Sequence, residues 1–210
     1  MSFVRSRSYH HGDLRAELLQ RAEATLRESG VDGLSLRQLA RDLGVSHAAP
    51  SRHFRDKQAL LDALALVGFD RLAAVYGEVG PTGSFSERLH AVARAYLDFA
   101  IDNPALLALM FARKHSPSSG EEMLAAVGRA FTVPIALIAE GQAGGEVVAG
   151  DPMRIGIAAI AALQGLATFV GSGFVDAENV DVALTETITQ LTYGLRPRDR
   201  PAPTSRRRTR

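Results

Sequence analysis

"GVSHAAPSRHF", residues 44–54, is the stretch on which the fold of this chain turns. Gly44 opens it, Ser46 is a residue type that caps helices, and Phe54 closes it, the outline of a short helix set behind a tight turn. Pro50 stands against that outline, because in a helix interior proline removes a hydrogen bond and clashes with the preceding turn, at a cost of ~3 kcal/mol. With Ser46 as the cap, however, His47, Ala48 and Ala49 are the first three helical residues, whose N–H groups lack intrahelical partners in any case. Pro50 then forfeits one bond, to the Ser46 carbonyl, while its ring fills an inward apolar slot. The residue before a proline avoids the α region, so Ala49 is expected outside it and the first turn is expected to be tight or distorted.

The neighbouring sequence makes this element half of a pair. In "LSLRQLARDLG", residues 34–44, Ser35 and Gln38 read as a capping box, and Leu36, Leu39, Ala40 and Leu43 read as the inner face. Two short helices at 36–43 and 47–54, joined through Gly44 with Val45 buried beneath the turn and small Ala40 at the crossing, have the shape of a helix-turn-helix. A helix marked by Leu14, Leu18, Leu19, Ala22 and Leu26 precedes it and stops near Ser29-Gly30. "DKQALLDAL", residues 56–64, opens a long helix capped by Asp56 and running to about Val79.

Beyond "GPTGS", residues 80–84, the apolar spacing continues at helical period and no run of strict alternation marks a strand. Helices are expected over 85–102, over a short segment after Asn103-Pro104, over 121 to about 141 with a kink at Pro134, after the cap Asp151-Pro152, and over 182–195. The fold class is therefore all-α: a nine-helix bundle with a three-helix N-terminal domain and a larger C-terminal one. Ile155 to Val175 carries no charge and has the length to cross a bilayer at ~20 residues. Its alanines, glycines and Gln164 read instead as a helix buried on all sides.

Charge is segregated along the chain. Residues 1–57 hold ten Arg/Lys against seven Asp/Glu, residues 58–195 seven against fifteen, and residues 196–210 seven against one. A basic front, an acidic body and a basic tail suit a protein whose front meets a polyanion. Arg196 to Arg210 has no apolar face and reads as a disordered basic tail, for phosphate contact or for solubility. Cysteine is absent, which excludes disulfides, thiolate nucleophiles and Cys-based zinc sites. Neither G-x-S-x-G, nor H-E-x-x-H, nor a phosphate loop with its lysine occurs, so no enzyme is expected. His10-His11 beside Asp13 sits on a mobile terminus, and neither a metal nor a cofactor is assigned. "MSFVRSRSYHHGD" has no apolar h-region, which points to the cytoplasm.

Residues 13–64, on the strength of "LRQLARDLGVSHAAPSRHF" and "DKQALLDAL", resemble the N-terminal domain of the TetR family of bacterial transcriptional regulators. "YHHGDLR" at 9–15 and "AAP" resemble the subgroup with a WHG-type C-terminal domain, although the chain has no tryptophan and Gln164-Gly165 stands where that subgroup has His-Gly. The expected organisation is a basic arm at 1–11, a DNA-binding domain at 12–56, a ligand-binding and dimerisation domain at 57–195, and the tail at 196–210.

On the outward face of the second helix, His47, Ala48, Ser51 and Arg52 meet base edges, flanked by Ser46, Ala49 and His53. Arg52 can grip guanine with two bonds, His47 and Ser51 can donate or accept, and Ala48 can meet a thymine methyl. Arg5 and Arg7 can reach phosphate or the minor groove. The resemblance implies contacts from Arg37 and a phosphate contact from Lys57; Ser51 stands where the family has tyrosine. It further implies a homodimer reading an inverted-repeat operator in double-stranded DNA, with an interface on the eighth and ninth helices through Ile160, Leu163, Ala167, Ile188 and Leu191. It also implies a largely apolar small-molecule effector, for which Phe99, Met110, Phe111, Phe131, Leu137, Gln164 and Phe169 are candidate contacts. The expected function is a repressor released from its operator by that ligand. A non-specific architectural DNA binder and a helical scaffold with a vestigial helix-turn-helix remain the alternatives.

Overall fold

A computed structural model describes residues 14–114 and 120–195, and among these every regular element is helical. In chain order they are α1 (Leu14–Ser29), α2 (Leu36–Asp42), a 3-10 turn (Pro50–Arg52), α3 (Lys57–Gly77), α4 (Phe85–Asp102), α5 (Pro104–Lys114), α6 (Glu121–Ala143), α7 (Pro152–Gly171), a second 3-10 turn (Ala177–Asn179) and α8 (Val180–Leu195). Eight α-helices thus stand where nine were expected. The missing one is the segment 47–54, which forms turns and a 3-10 segment instead, because a proline inside so short an element denies it an α rung.

The punctuation behaves as its chemistry dictates at several ends. Gly30 stops α1 at φ +67°, its N–H donating to the Leu26 carbonyl. The Asp56 carboxylate accepts the Ala59 N–H at 2.8 Å and starts α3. Asp151 accepts the Met153 N–H at 2.9 Å ahead of Pro152 in the first position of α7. The expected capping box at α2 does not form. Ser35 is extended but makes no side-chain cap bond, and the Gln38 amide is drawn off to the Asp42 carboxylate at 2.6 Å and to Arg41. A capping box does form at α4, where the Ser84 N–H donates to Glu87 Oε2 at 2.8 Å and the Glu87 N–H to Ser84 Oγ at 3.3 Å.

The chain packs as two compact units. The first takes residues 14–74 together with 102–114 and 120–130, so the helix-turn-helix segment shares its unit with most of α3, α5 and the start of α6. Leu18, Ala22, Leu39, Ala40, Phe54, Leu60, Leu64 and Phe69 are buried there. Ion pairs surround this core: Arg71 of α3 grips Glu23 of α1 with two bonds of 2.7 Å, and Arg113 of α5 reaches Asp62 of α3 at 2.7 Å.

The second unit comprises residues 75–101 and 131–195, with Tyr96, Leu97, Leu137, Leu163, Leu184 and Ile188 in its core. Helix α7 is not buried on all sides as its composition led one to expect. Gly156, Leu163, Leu166 and Ala167 face inward, whereas Ile157 is 58% exposed and Phe169 50%. Among the described residues, only one flank of the helix has protein to pack on.

Candidate functional site

Gly44 sits at φ +67°, the left-handed conformation that glycine adopts without a Cβ clash. The Val45 N–H donates to the Ala40 carbonyl and the Gly44 N–H to that of Arg41, the paired bonds of a Schellman motif, which end α2 and turn the chain. Val45 is half-buried rather than buried beneath this turn. The Ser46 carbonyl, which Pro50 cannot use, accepts the Ala49 N–H at 2.9 Å. Ala49 remains in the α region at φ −64°, ψ −46°, contrary to the restriction expected from the following proline. The tightness appears as i→i+3 hydrogen bonding instead, and the residue flanking the 3-10 turn is Ala49 rather than Ser46.

Pro50 is buried, as its apolar role requires, and its carbonyl accepts the N–H groups of both His53 and Phe54. Phe54 is 2% exposed, with the guanidinium of Arg15 on α1 stacked 5.6 Å from its ring centroid. With these two residues turned in, Ser46, His47, Ala48, Ser51, Arg52 and His53 are exposed together and Ala49 is half-buried. Arg37 is exposed on α2 and Lys57 half-buried at the start of α3. Arg5, Arg7 and the basic tail lie outside the described residues. The turn presents one cation, Arg52, with two imidazoles and two hydroxyl groups, and α2 and α3 add Arg37 and Lys57 on either side of it. Sequence reasoning missed Arg15; its place one helical turn before buried Leu18 and Leu19 was the available signal, but stacking on Phe54 depends on how α1 meets the turn.

The second unit holds a cavity of about 60 Å³. Of the residues named as candidate effector contacts, Phe131 and Leu137 are in its wall. The other candidates are not: Phe99 is buried elsewhere in the unit, Gln164 accepts the Tyr96 hydroxyl at 2.6 Å, and Phe169 is at the surface with its ring 5.0 Å from that of Phe174. Met110 and Phe111 belong to the first unit, where Met110 packs on Gly68. Tyr76, Phe85 and Leu89 complete one side of the wall and were not anticipated from the sequence.

Of the residues expected at a dimer interface, Leu163, Ala167 and Ile188 are buried, whereas Ile160 and Leu191 are half-buried and Leu191 also lines a surface groove. Ile160, Leu163, Ile188 and Leu191 line the cavity. What α7, the loop after it and α8 leave uncovered includes Met153, Ile157, Phe169, Phe174, Val182 and Tyr193, beside a surface groove whose lining includes Ala158, Ala162, Thr187, Leu191 and Gly194.

Comparison with known proteins places these features. Residues 18–64 match the family model "Bacterial regulatory proteins, tetR family", and residues 89–191 match that of the "Tetracyclin repressor-like, C-terminal domain". Over 82 residues the chain is 37% identical to an HTH-type transcriptional repressor of Mycobacterium tuberculosis, covering 39% of this chain and 44% of that protein. Over 40 residues, 19% of this chain and 18% of the other, it is 62% identical to the class A tetracycline repressor protein from transposon 1721 of Escherichia coli. The matched region thus spans less than half the length of these curated relatives. A solved structure of a protein of unknown function from Rhodococcus sp. RHA1 is similar over 91% of this chain and 100% of its own, at 44% identity and a TM-score of 0.82.

Proposed function

The chain belongs to the tetR family of bacterial regulatory proteins, and from that premise we propose that it is a homodimeric transcriptional regulator, a repressor that leaves an inverted-repeat operator when an apolar small molecule occupies its second unit. The single observation that carries the DNA-binding half is the exposed row His47, Ala48, Ser51 and Arg52, held outward by the burial of Pro50 and Phe54. Such a turn presents its side chains to base edges in the major groove, while Arg37, Lys57 and the stacked Arg15 meet phosphates. The arms carrying Arg5 and Arg7 add phosphate or minor-groove contacts, and the acidic body disfavours indiscriminate binding elsewhere on the molecule.

A second copy covers the apolar face of α7 and α8. Helices α6 and α7 are each long and apolar enough to cross a membrane, but a face made of Ile157, Phe169, Val182 and Tyr193 on the edge of a packed unit is what a cytoplasmic dimer of this family buries against itself. Residues 12–56 then serve as the reading head, and 57–195 as the part that senses ligand and pairs.

Selection from random duplex DNA tests the proposal. The expected result is enrichment of an inverted repeat bound at least ~10³-fold more tightly than scrambled DNA at physiological salt. Sequence-blind binding that falls steeply with salt and disappears when residues 196–210 are deleted supports the architectural alternative instead.

A further inference from the structure

The cavity wall carries a chemical specification. Of the described side chains that line it, Tyr76 alone bears a polar atom; the others include Phe85, Leu89, Phe131, Ile135, Leu163 and Ile188. Among the described residues no carboxylate, amine, guanidinium or amide lines it, and Arg88 and Glu140 are paired with each other. A charged ligand would lose its hydration there without gaining a partner.

Tyr76 is 2% exposed, and no group among the described residues is hydrogen-bonded to its hydroxyl. Yet no fully enclosed side-chain oxygen or nitrogen among the described residues lacks a partner. The hydroxyl is therefore not fully enclosed, and Tyr76 is part of the cavity wall. Tyr96, close enough to be felt electrostatically at Tyr76, has already committed its own proton to Gln164. Burial pushes the Tyr76 phenol far above its ordinary range, so it stays protonated and able to donate.

We propose that this cavity takes a neutral, compact, apolar molecule with a single oxygen acceptor, which the Tyr76 hydroxyl binds by a hydrogen bond. The inference rests on reading the cavity as the effector site. Its volume of about 60 Å³ is below the ~150 Å³ of a cavity that admits benzene, so the wall yields on binding. Pro134 is the place for that, since its missing N–H leaves one rung of α6 open at the wall itself.

Three probes of similar shape test the assignment on the full chain by calorimetry and thermal shift: acetophenone, isopropylbenzene and benzoate. Acetophenone should bind and raise the Tm, isopropylbenzene should bind about fivefold more weakly for want of one hydrogen bond, and benzoate about 100-fold more weakly or not at all. Tyr76→Phe should bring acetophenone down to the level of isopropylbenzene and leave the latter unchanged. Ala159→Met, which fills part of the cavity, should weaken both neutral probes. Benzoate binding as tightly as acetophenone, a preference for acetophenone that survives Tyr76→Phe, or no binding of either neutral probe overturns the assignment. If the neutral probes bind in the expected order while operator affinity does not change, the cavity chemistry stands and the effector reading falls.

Discussion

The N–H of Phe54 donates to the carbonyl of Pro50 at 2.9 Å. The residue that ought to interrupt the recognition element thus accepts the bond that closes it. Pro50 is costly only through the N–H it lacks, and the Ser46 carbonyl left over by that loss is taken by Ala49. The element is a turn and a 3-10 segment in place of a helix, yet it still buries one apolar edge and exposes the other.

Arg52 and Lys57 should fail in different ways. Arg52→Ala is expected to cost about 1–3 kcal/mol at one base position and to relax the preference there. Lys57→Ala is expected to weaken all sequences alike and reduce the salt slope by about one. Titrating operator and scrambled duplexes at several salt concentrations separates the two, and an Arg52→Ala protein with unaltered base preference would remove Arg52 from the reading row.

Two serines that look alike in sequence should differ in worth. Ser84 completes a capping box with Glu87, so Ser84→Ala should lower stability by about 1 kcal/mol. Ser35 makes no cap bond, and Ser35→Ala should change urea unfolding by a few tenths of a kcal/mol at most. Equal losses would mean that Ser35 caps α2 in solution.

Alanine should be harmful at Gly141 and milder at Gly68. A Cβ on Gly141 would lie 2.6 Å from the Phe85 ring and 2.8 Å from Val147. Overpacking of about 1–3 kcal/mol then outweighs the ~1 kcal/mol that alanine gains over glycine in a helix. At Gly68 the Cβ meets the Met110 sulfur at 2.5 Å, but a thioether has three rotatable bonds with which to move aside. Chemical denaturation of both variants checks the order.

The exposed and buried flanks of α7 should separate association from folding. The double substitution Ile157→Asp and Phe169→Asp places charge on the uncovered face and is expected to yield folded monomers by sedimentation and circular dichroism. Leu163→Asp, in the core of the second unit, should unfold that unit. A double variant that remains dimeric would move the interface away from this face.

Acid should weaken the first unit partly through Asp42. Its carboxyl is held below the usual range, first by the Arg21 guanidinium donating at 2.8 Å and then by Gln38. A lowered folded-state pKa gives stabilisation that is complete above the unfolded value and is lost as pH falls through the folded one. Asp42→Asn should therefore be less stable at neutral pH and show a flatter acid decline, as read from Tm against pH. An unchanged profile would assign the acid sensitivity to other carboxylates.

Much of this molecule was legible in its sequence because the signals were local. Helix spacing, the glycine stop at Gly30, the caps Asp56 and Asp151, and the inward role of Pro50 each depend on a few adjacent residues, and together they sufficed for an all-α fold and the outward row from His47 to Arg52. The losses came where partners far apart in the chain compete. Gln38 left its expected box for Asp42, which the sequence cannot rank against Ser35. Helix α7 is apolar on more than one flank, so its composition could not say that Leu163 and Ile160 face the cavity while Ile157 and Phe169 face outward. Tyr76 and Phe131 share a wall although 55 positions separate them along the chain. Local chemistry determined the elements and the reading face; which apolar flank is covered, and which tyrosine joins the cavity wall, only packing decided, because burial is a property of the neighbours a residue finds and not of the residue itself.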